Sequence, residues 1–533
     1  MPTRPHDALT WIWAGHEWHG HLARWHGTPG ALQRAAELPA RSRGLAAATN
    51  TPRFVHSVVT ACEAIGMRFL GLLCVAPVLV ACSSSSSPSP PNDGGTKTSD
   101  ASVTTDAASD APVVDEPDAG PQDTTCAGPC PTSAIKHIVI IVQENHSFDD
   151  HFGGYCTATP GSNPTCNVGP SCCEAMPAAD PTGVKPTLLT DAEHAQFDPN
   201  HAKACELTEI DNGKMDGYAA ASDAGCGYAG NVAIADPTIV QPYWDLAAQG
   251  ALADRYFQPL VGESSANDMY LARAHWVFDD NDDAPQGAVG MTCDSESTPA
   301  QYAGQTIGDL LNTASVPWTW FSGGYGAMVD AGGACPAKPP ACKFAFSFYP
   351  CAFDPSDVPF EYYASTVDNP ATIKDLSALD DILAGTGDLP AVSFVKAIGY
   401  ESEHPGLDTT LSAGVARATQ IISAVETSRY YSDTLVILTY DESGGYFDHV
   451  APPQESTVDN EPYGARIPFL ALGPFARSNY ISHVTMEHSS LVKFIEWNWL
   501  GGTTGQLGTR DAVVANIGSV LDPTRTGVAV PSN

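Results

Sequence analysis

Two strongly apolar stretches of the chain end in the same way. Residues 135–142, rich in β-branched side chains, predict a strand buried on both faces, and the run breaks at once into Glu144-Asn145-His146-Ser147-Phe148-Asp149. Residues 434–440 (TLVILTY) repeat the pattern and stop at Asp441-Glu442. A parallel strand that ends in such side chains delivers them to the carboxyl edge of a sheet, where open α/β folds bind their ligands. Shorter runs at 316–321, 391–397 and 467–472 predict further strands. Residues 242–253, 409–427 and 489–500 predict helices, and the segment from Ser264 predicts another, opened by a serine at its N-terminus. A cysteine- and loop-rich insertion fills 155–235. Strands alternating with helices predict an α/β fold whose central, mostly parallel sheet carries helices on both faces.

Composition divides the 533 residues into unequal parts. Met67-Arg68 precedes a short apolar core that ends in Leu79-Val80-Ala81-Cys82 and a run of serines. That is the layout of a secretory signal, too short for a comfortable membrane span, and it resembles a bacterial lipoprotein signal in which Cys82 carries the lipid. The expected organisation is therefore a mis-started extension over 1–66, a signal and lipobox over 67–82, and a disordered Ser/Pro/Asp-rich tether over 83–125. A catalytic domain follows over 126–533. With Ser83 after the cysteine, the resemblance to bacterial lipoproteins implies an exported protein anchored in the cell envelope, at the outer membrane. The rival account is an ordinary signal with an incidental cysteine.

Of 15 cysteines, Cys62, Cys74 and Cys82 fall at or before the cleavage point, leaving twelve. An even number in an exported chain predicts disulfides. The formal net charge of −36, from 61 acidic and 25 basic side chains, argues against nucleic acid as a partner and suits divalent cations.

Two strand ends bearing three carboxylates and an amide predict one metal site built from distant sequence. Around them stand Asp198-Pro199-Asn200-His201, the NGKMDG segment at 212–217, Gly262-Glu263-Ser264-Ser265-Ala266-Asn267, Glu403-His404-Pro405, and Asp441 to Val450, DESGGYFDHV. At these residues the chain resembles the bacterial phosphoesterase family that includes phospholipase C and the respiratory-burst-inhibiting acid phosphatases. Its ENxSFDxxFG signature stands at Glu144 to Gly153 and its DExGGxxDHV signature at Asp441 to Val450. The shorter motifs and a closing HSSLVKFIEW segment follow in the family's order.

The resemblance implies an alkaline-phosphatase-like fold and metal-assisted hydrolysis of phosphoesters, either phospholipid head groups or soluble monoesters. It assigns Glu144, Asn145, Asp441 and Glu442 to the metal and Ser264 to the nucleophile. His201, Asn267, His404 and His449 would contact phosphoryl oxygens or protonate the leaving group, and Ser265 is a rival nucleophile or a substrate contact one position away. An all-oxygen ligand set favours Mg²⁺, Ca²⁺ or Mn²⁺, with Zn²⁺ admitted if a histidine joins. A serine hydroxyl needs such help to act as a nucleophile, and a helix N-terminus suits a phosphoryl group.

The nucleophile segment departs from the family's usual GPTxPNR. Ala266 and Asp268 replace the proline and the arginine, and a planar phosphate clamp goes with the latter. Singly, each cluster has a plainer role: Ser264 as a helix cap, Asn145 as another, Asp448-His449 as a structural pair. A lipoprotein of this fold that binds without turnover is the alternative function. Oligomeric state is not legible in the sequence.

Overall fold

The computed structural model describes residues 129–533, apart from 221–224, 282–289, 294–300 and 333. The expected extension, signal, lipidated Cys82 and tether lie outside the described residues.

Among the described residues, ten strands follow in chain order: β1 His137–Gln143, β2 Thr187–Leu189, β3 Ala233–Ala235, β4 Ala251–Ala253, β5 Trp318–Ser322, β6 Ile373–Asp375, β7 Val392–Lys396, β8 Thr434–Tyr440, β9 Phe469–Leu472 and β10 Tyr480–Ser482. Eight form one sheet in the order β10-β4-β9-β8-β1-β7-β5-β6, while β2 and β3 pair separately in the cysteine-rich insertion. All pairings in the large sheet are parallel except those of β9 with β4 and β8.

Strand periodicity explains why the sheet is covered on both sides. Along β1, Ile138, Ile140 and Val142 enter one apolar cluster with Phe494 and Ile495 of the helix His488–Trp499. Val139 and Ile141 enter the other with Val415, Ile421 and Ile422 of the helix Leu411–Thr427. Both faces are dry, so the strand reads as a continuous apolar run instead of an alternating one. The expected mostly parallel sheet with helices on both faces is what the chain forms.

Local departures have local causes. The helix expected at 242–253 begins earlier, at Pro237, because Asp236 caps it by accepting from the Thr238 amide and proline suits the first helical position. Its last three expected residues instead form β4, paired with β9 and β10. Ser264 is the first residue of the helix Ser264–Arg273, with Glu263 before it in the cap position.

Disulfides join Cys156–Cys173, Cys166–Cys172, Cys205–Cys226, Cys293–Cys335 and Cys342–Cys351, and Cys130 is bridged as well. Among the described residues, no helix is long and apolar enough to cross a membrane.

Candidate active site

Because β1 lies between β7 and β8 in parallel, the three strands release their next residues at one edge. Gln143 pairs with Tyr440 and Val142 with Lys396, so Glu144, Asn145, Asp441, Glu442 and the Lys396 side chain arrive together. The Asn145 amide N–H donates to Asp441 Oδ1 at 3.1 Å, and the Glu442 N–H donates to the same oxygen at 2.7 Å. Asn145 holds a left-handed φ of 66°, a costly conformation that persists only where its surroundings enforce it.

The helix Ser264–Arg273 brings its first residue to this edge. Ser264 Oγ donates to Asn145 Oδ1 at 3.4 Å. On the other side of that amide, Asn145 Nδ2 lies 3.4 Å from His201 Nε2, which is itself 3.6 Å from Glu442 Oε1. The preceding loop makes a sharp turn at Gly262, whose φ of 146° and close approach to the Asp279 carbonyl leave no room for a Cβ. Buried Glu206 braces that loop by accepting from the Gly262 N–H, and burial pushes its carboxyl up to about 8.

Lys396 was absent from the expected site. Its ammonium, fully buried at the end of β7, lies 2.6 Å from Asp268, 3.1 Å from Asp441, 3.8 Å from Glu144 and 4.0 Å from Asp357. Burial works against this charge, and the surrounding carboxylates outweigh burial to hold its pKa well above the usual value. The signal was present, since VSFVK is one more apolar strand ending in a charged residue. Asp268, which stands where the family's arginine would, is the closest partner of this lysine.

The site holds more carboxyl groups than cations. Glu144, Asp268, Asp357 and Asp441 face Lys396, and Glu442 faces His201. Burial pushes Glu144 up to about 7 although Lys396 pulls it down. Burial also drives Glu442 towards its neutral form, and its Oε1 has no hydrogen-bond partner among the described residues. Burial alone would strip His201 of its proton, but Glu442, Asp198 and Glu263 together hold the ring well above its usual pKa. An unpartnered carboxyl oxygen among buried carboxyl groups that outnumber the cations fits a divalent cation, whose binding would favour their ionised forms, and Glu144, Asn145, Asp441 and Glu442 supply the hard oxygen donors it needs.

The remaining expected residues separate. His404 lies beside the site, its ring 6.4 Å from that of His201 and 5.4 Å from Tyr349, whose hydroxyl donates to Glu144. Ser265 follows Ser264 on the helix, and its Oγ has no hydrogen-bond partner among the described residues. Asn267 faces inward: its amide donates to the Gly262 and Glu263 carbonyls and accepts from the Leu260 N–H, which fixes the turn before Ser264. The His449 ring lies between Asp149, at 2.7 Å, and Glu174, at 3.0 Å, in a network built around Arg466.

A family model described as the Phosphoesterase family matches residues 135–500. Among curated relatives, "Phospholipase C B" of Mycobacterium tuberculosis (strain CDC 1551 / Oshkosh) is 25% identical over 456 residues, covering 74% of this chain and 80% of its own. "Non-hemolytic phospholipase C" of Burkholderia pseudomallei (strain K96243) is 26% identical over 414 residues, covering 68% and 55%. A solved structure from Vibrio parahaemolyticus, described as in the alkaline phosphatase superfamily, covers 69% of this chain and 68% of its own. Its identity is 11% and its TM-score 0.31, too low to argue from.

Proposed function

Because the chain belongs to the phosphoesterase family, we propose that it hydrolyses phosphoester bonds through Ser264, with a divalent cation held by Glu144, Asn145, Asp441 and Glu442. The observation that carries this reading is the hydroxyl of Ser264 against the side-chain amide oxygen of Asn145, a residue whose backbone N–H is tied to Asp441, where buried carboxyl groups outnumber the cations. Bound there, the cation would lower the pKa of the serine hydroxyl and offset charge on the phosphoryl oxygens. Ser264 Oγ attacks phosphorus, its proton passing to solvent, from which His201 is recharged at the end of the cycle, and the bond to the leaving oxygen breaks. His201, held protonated by its carboxylate neighbours, gives that oxygen a proton. Water then cleaves the phosphoserine and restores the hydroxyl. His404, its ring 6.4 Å from that of His201, is the candidate second proton carrier, and the Ser265 hydroxyl is the candidate contact for a phosphoryl oxygen. Asn267 serves by fixing the turn that presents Ser264.

Between a phospholipid and a soluble monoester, one feature favours the lipid. Phe344, Phe346 and Phe348 cluster on the loop closed by the Cys342–Cys351 disulfide, with Phe346 56% exposed, immediately before the Tyr349 that touches Glu144. Exposed aromatics beside a polar cleft suit a bilayer interface. Lipid attachment at Cys82, after the 67–82 signal and ahead of the 83–125 tether, belongs to the same reading, and the disulfides support export. Turnover of p-nitrophenyl phosphorylcholine against p-nitrophenyl phosphate, with and without EDTA, tests both parts. The reading expects EDTA-sensitive hydrolysis with the choline diester preferred, and it fails if neither ester is cleaved in the presence of Mg²⁺, Ca²⁺, Mn²⁺ or Zn²⁺.

A further inference from the structure

Behind the strand end that carries Glu144 and Asn145 lies a second cluster that the reaction above does not use. His146, Asp150 and His151 are wholly buried, on and just before the short helix Phe148–Phe152. One ligand atom from each residue lies within 4.8 Å of the others. The outward nitrogens of both rings are already committed to a single residue: His146 Nε2 meets the Glu403 carbonyl at 3.1 Å, and His151 Nε2 meets Glu403 Oε2 at 2.9 Å. Both Nδ1 atoms are thereby turned towards Asp150. His146 Nδ1 pairs with Asp150 Oδ2, and His151 Nδ1 is 3.7 Å from that oxygen.

This is the arrangement a metal-bound histidine adopts, with one nitrogen on the metal and the other donating to a carboxylate or carbonyl that fixes tautomer and ring orientation. Two buried atoms of the cluster, Asp150 Oδ1 and His151 Nδ1, have no hydrogen-bond partner among the described residues. A buried polar atom without a partner is costly, and a metal ion would satisfy both at once. The comparable group Asp149-Asp448-His449 has no such need, because the Arg466 guanidinium already supplies its positive charge.

We propose that His146, Asp150 and His151 form a structural binding site for a divalent transition metal, with two imidazoles and a carboxylate selecting Zn²⁺, separate from the oxygen-lined site at Ser264. The site acts through Glu403. That residue turns the chain at a φ of 74°, takes His146 and His194 on its carbonyl, and takes Gln143, Tyr243, Tyr440 and His151 on its carboxylate. The next residue is His404, so a metal that fixes the two imidazoles also fixes the turn that presents His404 to the active site.

The test is zinc stoichiometry, which does not depend on the phosphoesterase reading. Protein carrying Asp441→Asn and Glu442→Gln, which empties the site at Ser264, is stripped, reloaded with Zn²⁺, dialysed and assayed for metal. One tightly held equivalent is expected, and it disappears when His146→Gln and His151→Gln are added, with the circular dichroism spectrum retained. No zinc in the first protein, or zinc unchanged in the second, overturns the proposal. Should any of these variants fail to fold, X-ray absorption at the zinc edge of the wild-type protein loaded with one equivalent decides. Two imidazoles at about 2.0–2.1 Å support the site, and fewer than two overturn it.

Discussion

Two buried, acidic, histidine-bearing regions lie at the same edge of the sheet, and they are built on opposite plans. Around Arg466 every charge has a partner: its Nε donates to Asp448 at 2.9 Å, its Nη2 to Asp149 at 3.0 Å, and His449 fills the space between Asp149 and Glu174. Around Ser264 the carboxyl groups outnumber the cations, Glu442 Oε1 has no hydrogen-bond partner among the described residues, and Asn145 sits in a left-handed conformation. In sequence the two look alike, since both draw on the same pair of signatures. Saturated pairing marks the region that holds the fold together. Unmet charge and backbone strain mark the region left ready for a cation and a substrate.

Substitutions can break that contrast. Ser264→Ala should lower kcat by at least about 10³-fold while the circular dichroism spectrum and Tm stay as in the wild type. A loss of fold alongside the loss of activity would place Ser264 in the structural region instead. Arg466→Met should do the reverse. It leaves Asp149 and Asp448 buried and uncompensated, a cost of about 3–5 kcal/mol read by urea denaturation, with specific activity of the folded fraction little changed.

Two milder perturbations sharpen it. In protein stripped of metal, Glu144 and Glu206 have folded pKa values raised by burial to about 7 and about 8. Their contribution to stability is complete below the ordinary carboxylate range and is lost as pH rises through those values. Tm of the EDTA-treated protein should therefore fall between about pH 5 and 8, and loading with metal should flatten the curve. His449→Gln should cost about 1 kcal/mol and leave most of the kcat intact, since its ring is engaged by Asp149 and Glu174. A fall in kcat as large as that of Ser264→Ala would instead put His449 in the chemistry.

The sheet was legible because its central strands are dry on both faces: Thr434–Tyr440 runs over the residues its apolar pattern predicts. The Ala251–Ala253 strand was not, because three small residues after a helix carry no period, and pairing with β9 and β10 decides their state. Strand-end carboxylates could be read from sequence for the same reason as the strands themselves. Lys396 obeyed that grammar but passed as the last residue of an apolar run. Tyr349 had no local signal, since its role arises from contact with Glu144 far along the chain, and Glu403, though part of the singled-out Glu403-His404-Pro405 segment, takes its role from distant Tyr243 and Tyr440. Asn267 and His449, singled out in the sequence for their motifs, also make contacts that fix loops, which no local pattern announced.

The most direct test of the account is to quench wild-type protein during turnover of p-nitrophenyl phosphate and locate the phosphoryl group by peptide mass spectrometry. The account predicts a phosphoserine at Ser264 that forms only when a divalent cation is present. Phosphorylation at Ser265, or steady turnover with no phosphoserine trapped under any quench, would contradict it.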